Sequence, residues 1–315
     1  MYPPIEPNCT GMLPVSHGNY IYWEECGNPQ GRPVLVLHGG PGSGCNTGMR
    51  RLFDPDAYRI VLFDQRGCGR SIPHAANFET SLEFNTTQHL VEDIDALLNH
   101  LNIHSTVLWG GSWGCTLALA YALRNPDRIL AMVLTGVTTT RQTEIDWLYK
   151  GVAPLFPEQW EAFRNCVPQE HRNGNLVETY AALLAHQDEA VRIAAASAWC
   201  TWESALISVH PDYRPSRQWQ DPAFQMTFAR IVTHYFRNGA WLAENELLNN
   251  AYRLNGIPGA LIHGRLDLDA PLTTAWELSR VWKTAILHIV QGAGHAGTDP
   301  GLMEAVLAAT DRFRR

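Results

Sequence analysis

Leu108-Trp109-Gly110-Gly111-Ser112-Trp113-Gly114 is the stretch on which the reading of this chain turns. The apolar run Thr106-Val107-Leu108-Trp109 leads into it with the texture of a short buried strand, and Cys115 to Asn125, rich in Ala and Leu, follows with that of a helix. Between them Gly110 to Gly114 fit G-x-S-x-G, in which a serine tops a sharp strand-to-helix turn. The flanking glycines suit such a turn because a Cβ would clash where backbones come close. Ser112 is therefore expected at the carboxyl edge of a sheet with its Oγ exposed. The helix behind it directs N–H groups and a positive dipole end at any negative charge that develops there.

Working outward, Pro33-Val34-Leu35-Val36-Leu37 and Arg59-Ile60-Val61-Leu62-Phe63 are continuous apolar runs, the mark of central strands buried on both faces. The first ends in His38-Gly39-Gly40-Pro41-Gly42, the second in Asp64-Gln65-Arg66-Gly67-Cys68-Gly69. Tyr20 to Glu25, with Gly11 to Ser16 before it, predicts a hairpin. Asn85-Thr86-Thr87 caps a helix whose Leu90, Ile94, Leu97 and Leu98 share a face. Further strands are expected at Ile129–Leu134, Ile257–His263 and Ala285–Val290, with helices at Thr273–Trp282 and Pro300–Phe313. Strands alternating with helices predict an α/β fold, a mostly parallel sheet with helices on both faces. From about Thr138 to Asn249 the texture is helical and rich in Trp and Tyr. The expected organisation is thus a core of residues 1–137 and 250–315 with an inserted helical cap of residues 138–249.

Composition narrows the partners. The 315 residues carry a net charge of −7, which argues against nucleic acid or an anionic membrane surface. No apolar stretch reaches transmembrane length, and Met1 to Pro7 has neither a basic nor an apolar region of the kind that directs secretion. The seven cysteines are odd in number, scattered and free of C-x-x-C, so neither a disulfide framework nor a metal site is suggested, and a cytoplasmic location is expected. No cofactor is implied.

A serine hydroxyl is a weak nucleophile and needs a base, which in turn needs an orienting acid. In open α/β sheets such groups sit on loops at the carboxyl ends of strands. The loop after Leu261-Ile262 reads His263-Gly264-Arg265-Leu266-Asp267-Leu268-Asp269, and either aspartate stands where the acid belongs. The other is expected to cap the loop or face solvent. The loop after Ile289-Val290 carries His295, which follows a glycine and is free to point into the site as the base. Gly40 and Trp113 are placed to offer their backbone N–H groups as an oxyanion hole. A phosphate-binding loop is the rival for the glycines after Leu37, but no Lys-Ser/Thr follows and the G-x-G-x-x-G spacing is absent.

Together these loops resemble the proline iminopeptidases of the α/β-hydrolase fold, from about Tyr20 to the C-terminus. The likeness lies in His38-Gly39-Gly40-Pro41-Gly42, Asp64 to Ser71, Asn85-Thr86-Thr87, Gly110 to Gly114, His263-Gly264-Arg265-x-Asp267 and Gly292-Ala293-Gly294-His295. It implies Ser112 as nucleophile, Asp267 as acid and His295 as base, and this selects Asp267 over Asp269. It further implies release of an N-terminal residue, preferably proline, from a small peptide or aminoacyl amide. The family reads the free amine with a cap glutamate in Trp-x-x-Trp-Glu. Trp199-Cys200-Thr201-Trp202-Glu203 matches, so Glu203 is the expected amine anchor, with Trp202 beside it in the substrate site. A second family glutamate falls at Val232 in Ala229-Arg230-Ile231-Val232-Thr233-His234-Tyr235-Phe236, and valine cannot accept from an amine. That departure keeps two relatives of the reaction open: removal of an aminoacyl group from a non-peptide amide, and hydrolysis of carboxylic esters. A hydrolase-fold binding protein without activity is the fourth reading, against which the intact Ser112, Asp267 and His295 stand.

Overall fold

The computed structural model describes residues 1–315. Eight strands form one sheet: β1 (Cys9–Pro14), β2 (Tyr20–Gly27), β3 (Arg32–Leu37), β4 (Tyr58–Phe63), β5 (Thr106–Gly111), β6 (Ile129–Thr135), β7 (Gly259–Gly264) and β8 (Ala285–Val290). Their spatial order is β1-β2-β4-β3-β5-β6-β7-β8. The β1–β2 hairpin pairs Gly11 with Trp23, and β2 lies antiparallel to β4. From β4 to β8 every pairing is parallel.

The helices are α1 (Thr87–His100), α2 (Trp113–Arg124), α3 (Gln142–Asp146), α4 (Pro157–Asn165), α5 (Leu176–Leu184), α6 (Glu189–Leu206), α7 (Pro222–Arg237), α8 (Glu246–Asn250), α9 (Leu272–Val281) and α10 (Leu302–Arg312). Thr86 caps α1, its hydroxyl accepting from the His89 N–H. Strand alternation then sorts the core. In β3, Leu35 and Leu37 face a layer built on α1, α2, α8 and α9, whereas Val34 and Val36 face the layer of α10.

Between β6 and β7 the chain forms helices and turns and no strand. These helices share a separate aromatic-rich core that includes Tyr149, Phe163, Tyr180, Trp199 and Trp202. Helix α7 joins the two bodies through its two faces: Phe228, Ala229 and Val232 pack into the helical core, while Ile231 and Tyr235 pack into the sheet's core. No helix is long and apolar enough to cross a membrane. All seven cysteines are free.

Chain order reverses beside β3, with β4 on one flank and β5 on the other. Loops leaving two such strands at their carboxyl ends diverge and leave a crevice between them. The loop from His38 and the turn at Ser112 leave β3 and β5 there.

Candidate active site

Ser112 sits between β5 and α2 with φ 54° and ψ −123°, a conformation that L-residues adopt only under constraint. The constraint is close packing of the turn on its neighbour strand. A Cβ on Gly114 would lie 2.0 Å from the Leu37 carbonyl oxygen of β3, so only glycine lets α2 start this near the sheet.

Asp267 and His295 reach the same edge from β7 and β8. Asp267 Oδ2 accepts a hydrogen bond from His295 Nδ1–H at 2.8 Å. Its other oxygen accepts from the backbone N–H of Asp269 at 3.1 Å and of Ala270 at 2.7 Å, so one carboxylate both closes its own loop and orients the ring. Burial disfavours the ionised Asp267, yet the His295 charge beside it holds its carboxyl below the ordinary range. Burial would likewise lower the His295 imidazolium, but Asp267 and then Asp269 overturn this and raise it to about 10.

The surrounding backbone is shaped to the ring. Gly136, at the end of β6 with φ 58°, would place a Cβ 2.7 Å from His295 Cε1. His263, fully buried, accepts the Val137 N–H on Nδ1 and donates from Nε2 to the Ala270 carbonyl, which ties the aspartate loop to β6. The histidine loop is pinned from both sides. The N–H groups of His295 and Ala296 donate to the Ile207 carbonyl at the end of α6, and Asp299 accepts from Gly294 N–H at 2.6 Å and the Ser208 hydroxyl at 2.7 Å.

Gly40, with φ 110°, and Trp113 line a small hollow above Ser112, and neither backbone N–H is engaged by another group of the chain. Gln65 fixes their relation. Its Oε1 accepts the Trp113 indole N–H at 2.9 Å, its Nε2 donates to the His38 carbonyl at 2.9 Å, and its backbone N–H donates to His38 Nε2 at 3.0 Å. A serine, a histidine hydrogen-bonded to an aspartate, and two free backbone N–H groups therefore lie at one sheet edge, the residue types that acyl transfer draws on.

The chain matches the family model for the alpha/beta hydrolase fold over residues 32–301. It is 46% identical to a proline iminopeptidase of Xylella fastidiosa over 99% of both chains. It is 42% identical to a proline iminopeptidase of Arabidopsis thaliana, over 100% of this chain and 82% of that one. The chain belongs to the proline iminopeptidase family of α/β hydrolases. Among solved structures, a proline iminopeptidase of Mycobacterium smegmatis superposes with a TM-score of 0.65 at 20% identity, over 97% of this chain and 99% of that one. An esterase of Exiguobacterium antarcticum does so with the same TM-score at 16% identity, over 98% and 100%. At such identities these two speak to the fold alone.

Within this family member the roof of the hollow comes from the helical segment. Glu203 on α6 projects into it, and the buried Tyr149 hydroxyl donates to Glu203 Oε1. Burial raises the Glu203 carboxyl well above the ordinary range, and Asp269 adds to that. Trp202 is not part of the hollow's wall, contrary to the sequence expectation. Its indole N–H donates to the Leu148 carbonyl and its ring packs on Trp160 and Phe163 inside the helical core. The reason is helical geometry: adjacent residues point about 100° apart, while residues four apart share a face. Trp199, not Trp202, stands on the Glu203 side of α6, and it packs on Tyr149 at 4.6 Å between ring centroids.

Asp269 is the second departure. It neither caps the loop nor faces solvent; its side chain is 12% exposed and its Oδ2 lies 3.2 Å from His295 Nε2. Asp267, through its second oxygen, had already taken the capping role. A second, wider hollow of about 430 Å³ opens on the other side of Ser112, lined by Met49, Leu52, Leu302 and Met303 among others.

Proposed function

We propose that this chain is a serine exopeptidase that releases an N-terminal residue, preferably proline, from small peptides or aminoacyl amides through an acyl-enzyme. Ser112 Oγ attacks the scissile carbonyl while neutral His295 takes its proton, and Asp267 stabilises the imidazolium that results. The tetrahedral oxyanion is received by the N–H groups of Gly40 and Trp113. His295 returns the proton to the leaving amine, then activates water to release the acyl group. Glu203 receives the substrate's ammonium in the hollow above Ser112. That hollow is small, about 30 Å³, which favours entry of no more than one residue. The observation that carries this reading is a buried carboxyl group lining the same small hollow as Ser112.

The wider apolar hollow lies where the departing group would lie, and it favours apolar leaving groups, non-peptide amides included. In this reading residues 138–249 act as a cap on a core of 1–137 and 250–315, supported by the separate hydrophobic core of the helical segment. The free cysteines and acidic charge suit a cytoplasmic location.

The test compares prolyl naphthylamide with its N-acetylated form, alongside labelling by a fluorophosphonate. Cleavage of the first only, with the label on Ser112, is the expected result. Equal cleavage of both removes the aminopeptidase reading, and absence of labelling removes the serine mechanism.

A further inference from the structure

Three carboxyl side chains line the small hollow: Glu144, Glu203 and Asp269. Glu144 is saturated by the Thr139 N–H at 3.0 Å, the Thr139 hydroxyl at 3.1 Å and the Arg141 N–H at 3.1 Å, with Thr274 on its other oxygen. Glu203 has the Tyr149 hydroxyl. Asp269 accepts no hydrogen bond from the chain, and the one cationic group beside it is His295 Nε2. The ring thus has a carboxylate at each nitrogen: Asp267 hydrogen-bonded to Nδ1 at 2.8 Å, and Asp269 in charge contact with Nε2 at 3.2 Å. Yet Nε2 is the atom that must be bare to take the proton of Ser112. A protonated Nε2 resting against a carboxylate is the wrong state for the reaction and the right one for an empty, buried, acidic pocket.

We propose that Asp269 and Glu203 form a cation-exchange pair in which Asp269 balances a protonated His295 until the substrate's ammonium takes the place of that charge, so that the base is freed only when a free amine is bound. This rests on the aminopeptidase reading above and adds Asp269 to it as a positioning and specificity residue. The exchange balances: one ammonium enters, the Nε2 proton and the proton that the buried Glu203 carries in the empty hollow leave for bulk water, and the ammonium then lies between two carboxylates, the net charge of the site being lower by one. Nε2 then has its lone pair for the Ser112 hydroxyl. Selection for an amine would act in this way on kcat as well as on binding, because a substrate lacking the amine finds the base occupied.

The titratable groups facing this centre are Asp267 and Asp269 after β7, His263 on β7, Glu203 on α6, and Tyr149 and Glu144 between β6 and α4. Burial keeps His263 neutral and Tyr149 protonated, so neither competes as the cation or as the anion that is exchanged.

The experiment uses an acetate ester, which has no amine, with methylammonium chloride as the probe and sodium chloride at equal ionic strength as the control. In the wild type near neutral pH, methylammonium should accelerate ester hydrolysis several-fold. In Asp269→Asn the ester rate without methylammonium should exceed that of the wild type, with its acid limb moved to lower pH by at least about one pH unit. Methylammonium should no longer stimulate this variant, and kcat/KM on prolyl naphthylamide should fall by roughly 10- to 200-fold, the worth of a charge-assisted hydrogen bond. Methylammonium that leaves the wild-type ester rate unchanged or lowers it overturns the proposal, whatever the variant does. So does an Asp269→Asn enzyme that loses ester and amide activity equally with the pH profile in place. Failure of the wild type to cleave prolyl naphthylamide would instead remove the aminopeptidase reading, and the ester experiment would still decide the exchange.

Discussion

Gln65 Oε1 accepts the indole N–H of Trp113 at 2.9 Å while its Nε2 donates to the His38 carbonyl at 2.9 Å, so this one side chain, from the loop after β4, locks the loop after β3 to the first residue of α2. The proposed oxyanion donors, Gly40 and Trp113, come from those two segments, so the two bonds set the distance between them. Gln65→Leu keeps the volume and removes both side-chain hydrogen bonds. A displacement of about 1 Å in a reacting geometry costs on the order of 100-fold. Steady-state kinetics on prolyl naphthylamide should therefore show kcat reduced by about 10- to 100-fold with KM nearly unchanged. Trp113→Phe, which deletes the indole N–H, should act in the same direction, and the double variant should lose less than the product of the two. A rise in KM at constant kcat would show that Gln65 serves substrate binding instead.

Ser112→Ala, His295→Ala and Asp267→Asn should each lower kcat by about 10³-fold or more, because the three act as one unit. Asp269→Asn is expected to differ from Asp267→Asn in kind: Asp267 holds the proton-bearing Nδ1 at 2.8 Å, while Asp269 faces the nitrogen that must meet Ser112. Parallel assays on amide and ester settle this. A dead Asp269→Asn beside an active Asp267→Asn would exchange the two assignments.

Strand ends place Asp267 and Asp269 equally, and only the family resemblance chooses Asp267 between them. The ends of β3, β5, β7 and β8 are visible as apolar runs that stop at glycine-rich loops, and strand ends in a parallel sheet converge on one edge. Ser112, Gly40, Asp267 and His295 all stand at such ends, so their neighbourhood is legible before any coordinates are. The side to which a loop carboxylate turns is not, because it depends on who has already closed the loop. Asp267 does so with its second oxygen, which leaves Asp269 to turn inward. Gln65 and Tyr149 were silent for a related reason. Their partners, Trp113 and Glu203, lie 48 and 54 residues away, and no local pattern marks contacts of that range. Trp202 lies on another face: the Trp-x-x-Trp-Glu spacing offers two tryptophans, and only the one four residues before Glu203 shares its side of α6.

Val232 occupies the position where the family resemblance implies a second glutamate, and it is 1% exposed within the aromatic core of the helical segment. A carboxylate there would lose its hydration with no donor provided for it, and would be held neutral by its surroundings. Val232→Glu should therefore destabilise the protein by about 2 kcal/mol or more and leave kcat/KM on prolyl naphthylamide no higher than in the wild type. Thermal unfolding and kinetics on the same preparation check both halves. A gain in activity at unchanged stability would mean that the site accepts a second anchor from α7 after all.

As the proposed amine anchor, Glu203 links function to stability. Burial raises its carboxyl, and Asp269 nearby adds to the rise, so the native chain holds this proton more tightly than the unfolded chain does. Below the ordinary carboxylate range both states are protonated and Glu203 costs nothing. As the pH rises through that range the unfolded chain ionises first, and native stability falls until native Glu203 has ionised as well. Glu203→Gln removes the titration while keeping the shape. The variant's Tm should match the wild type near about pH 4 and exceed it by several degrees near about pH 7, the gap opening upward with pH. On prolyl naphthylamide the same variant should lose roughly 10- to 200-fold in kcat/KM, with a much smaller loss on an acetate ester. Calorimetry across this pH range, paired with the two assays, measures both. A Tm gap that does not change with pH would show that Glu203 is ionised in the unbound native state, and equal losses on amide and ester would make it a structural residue.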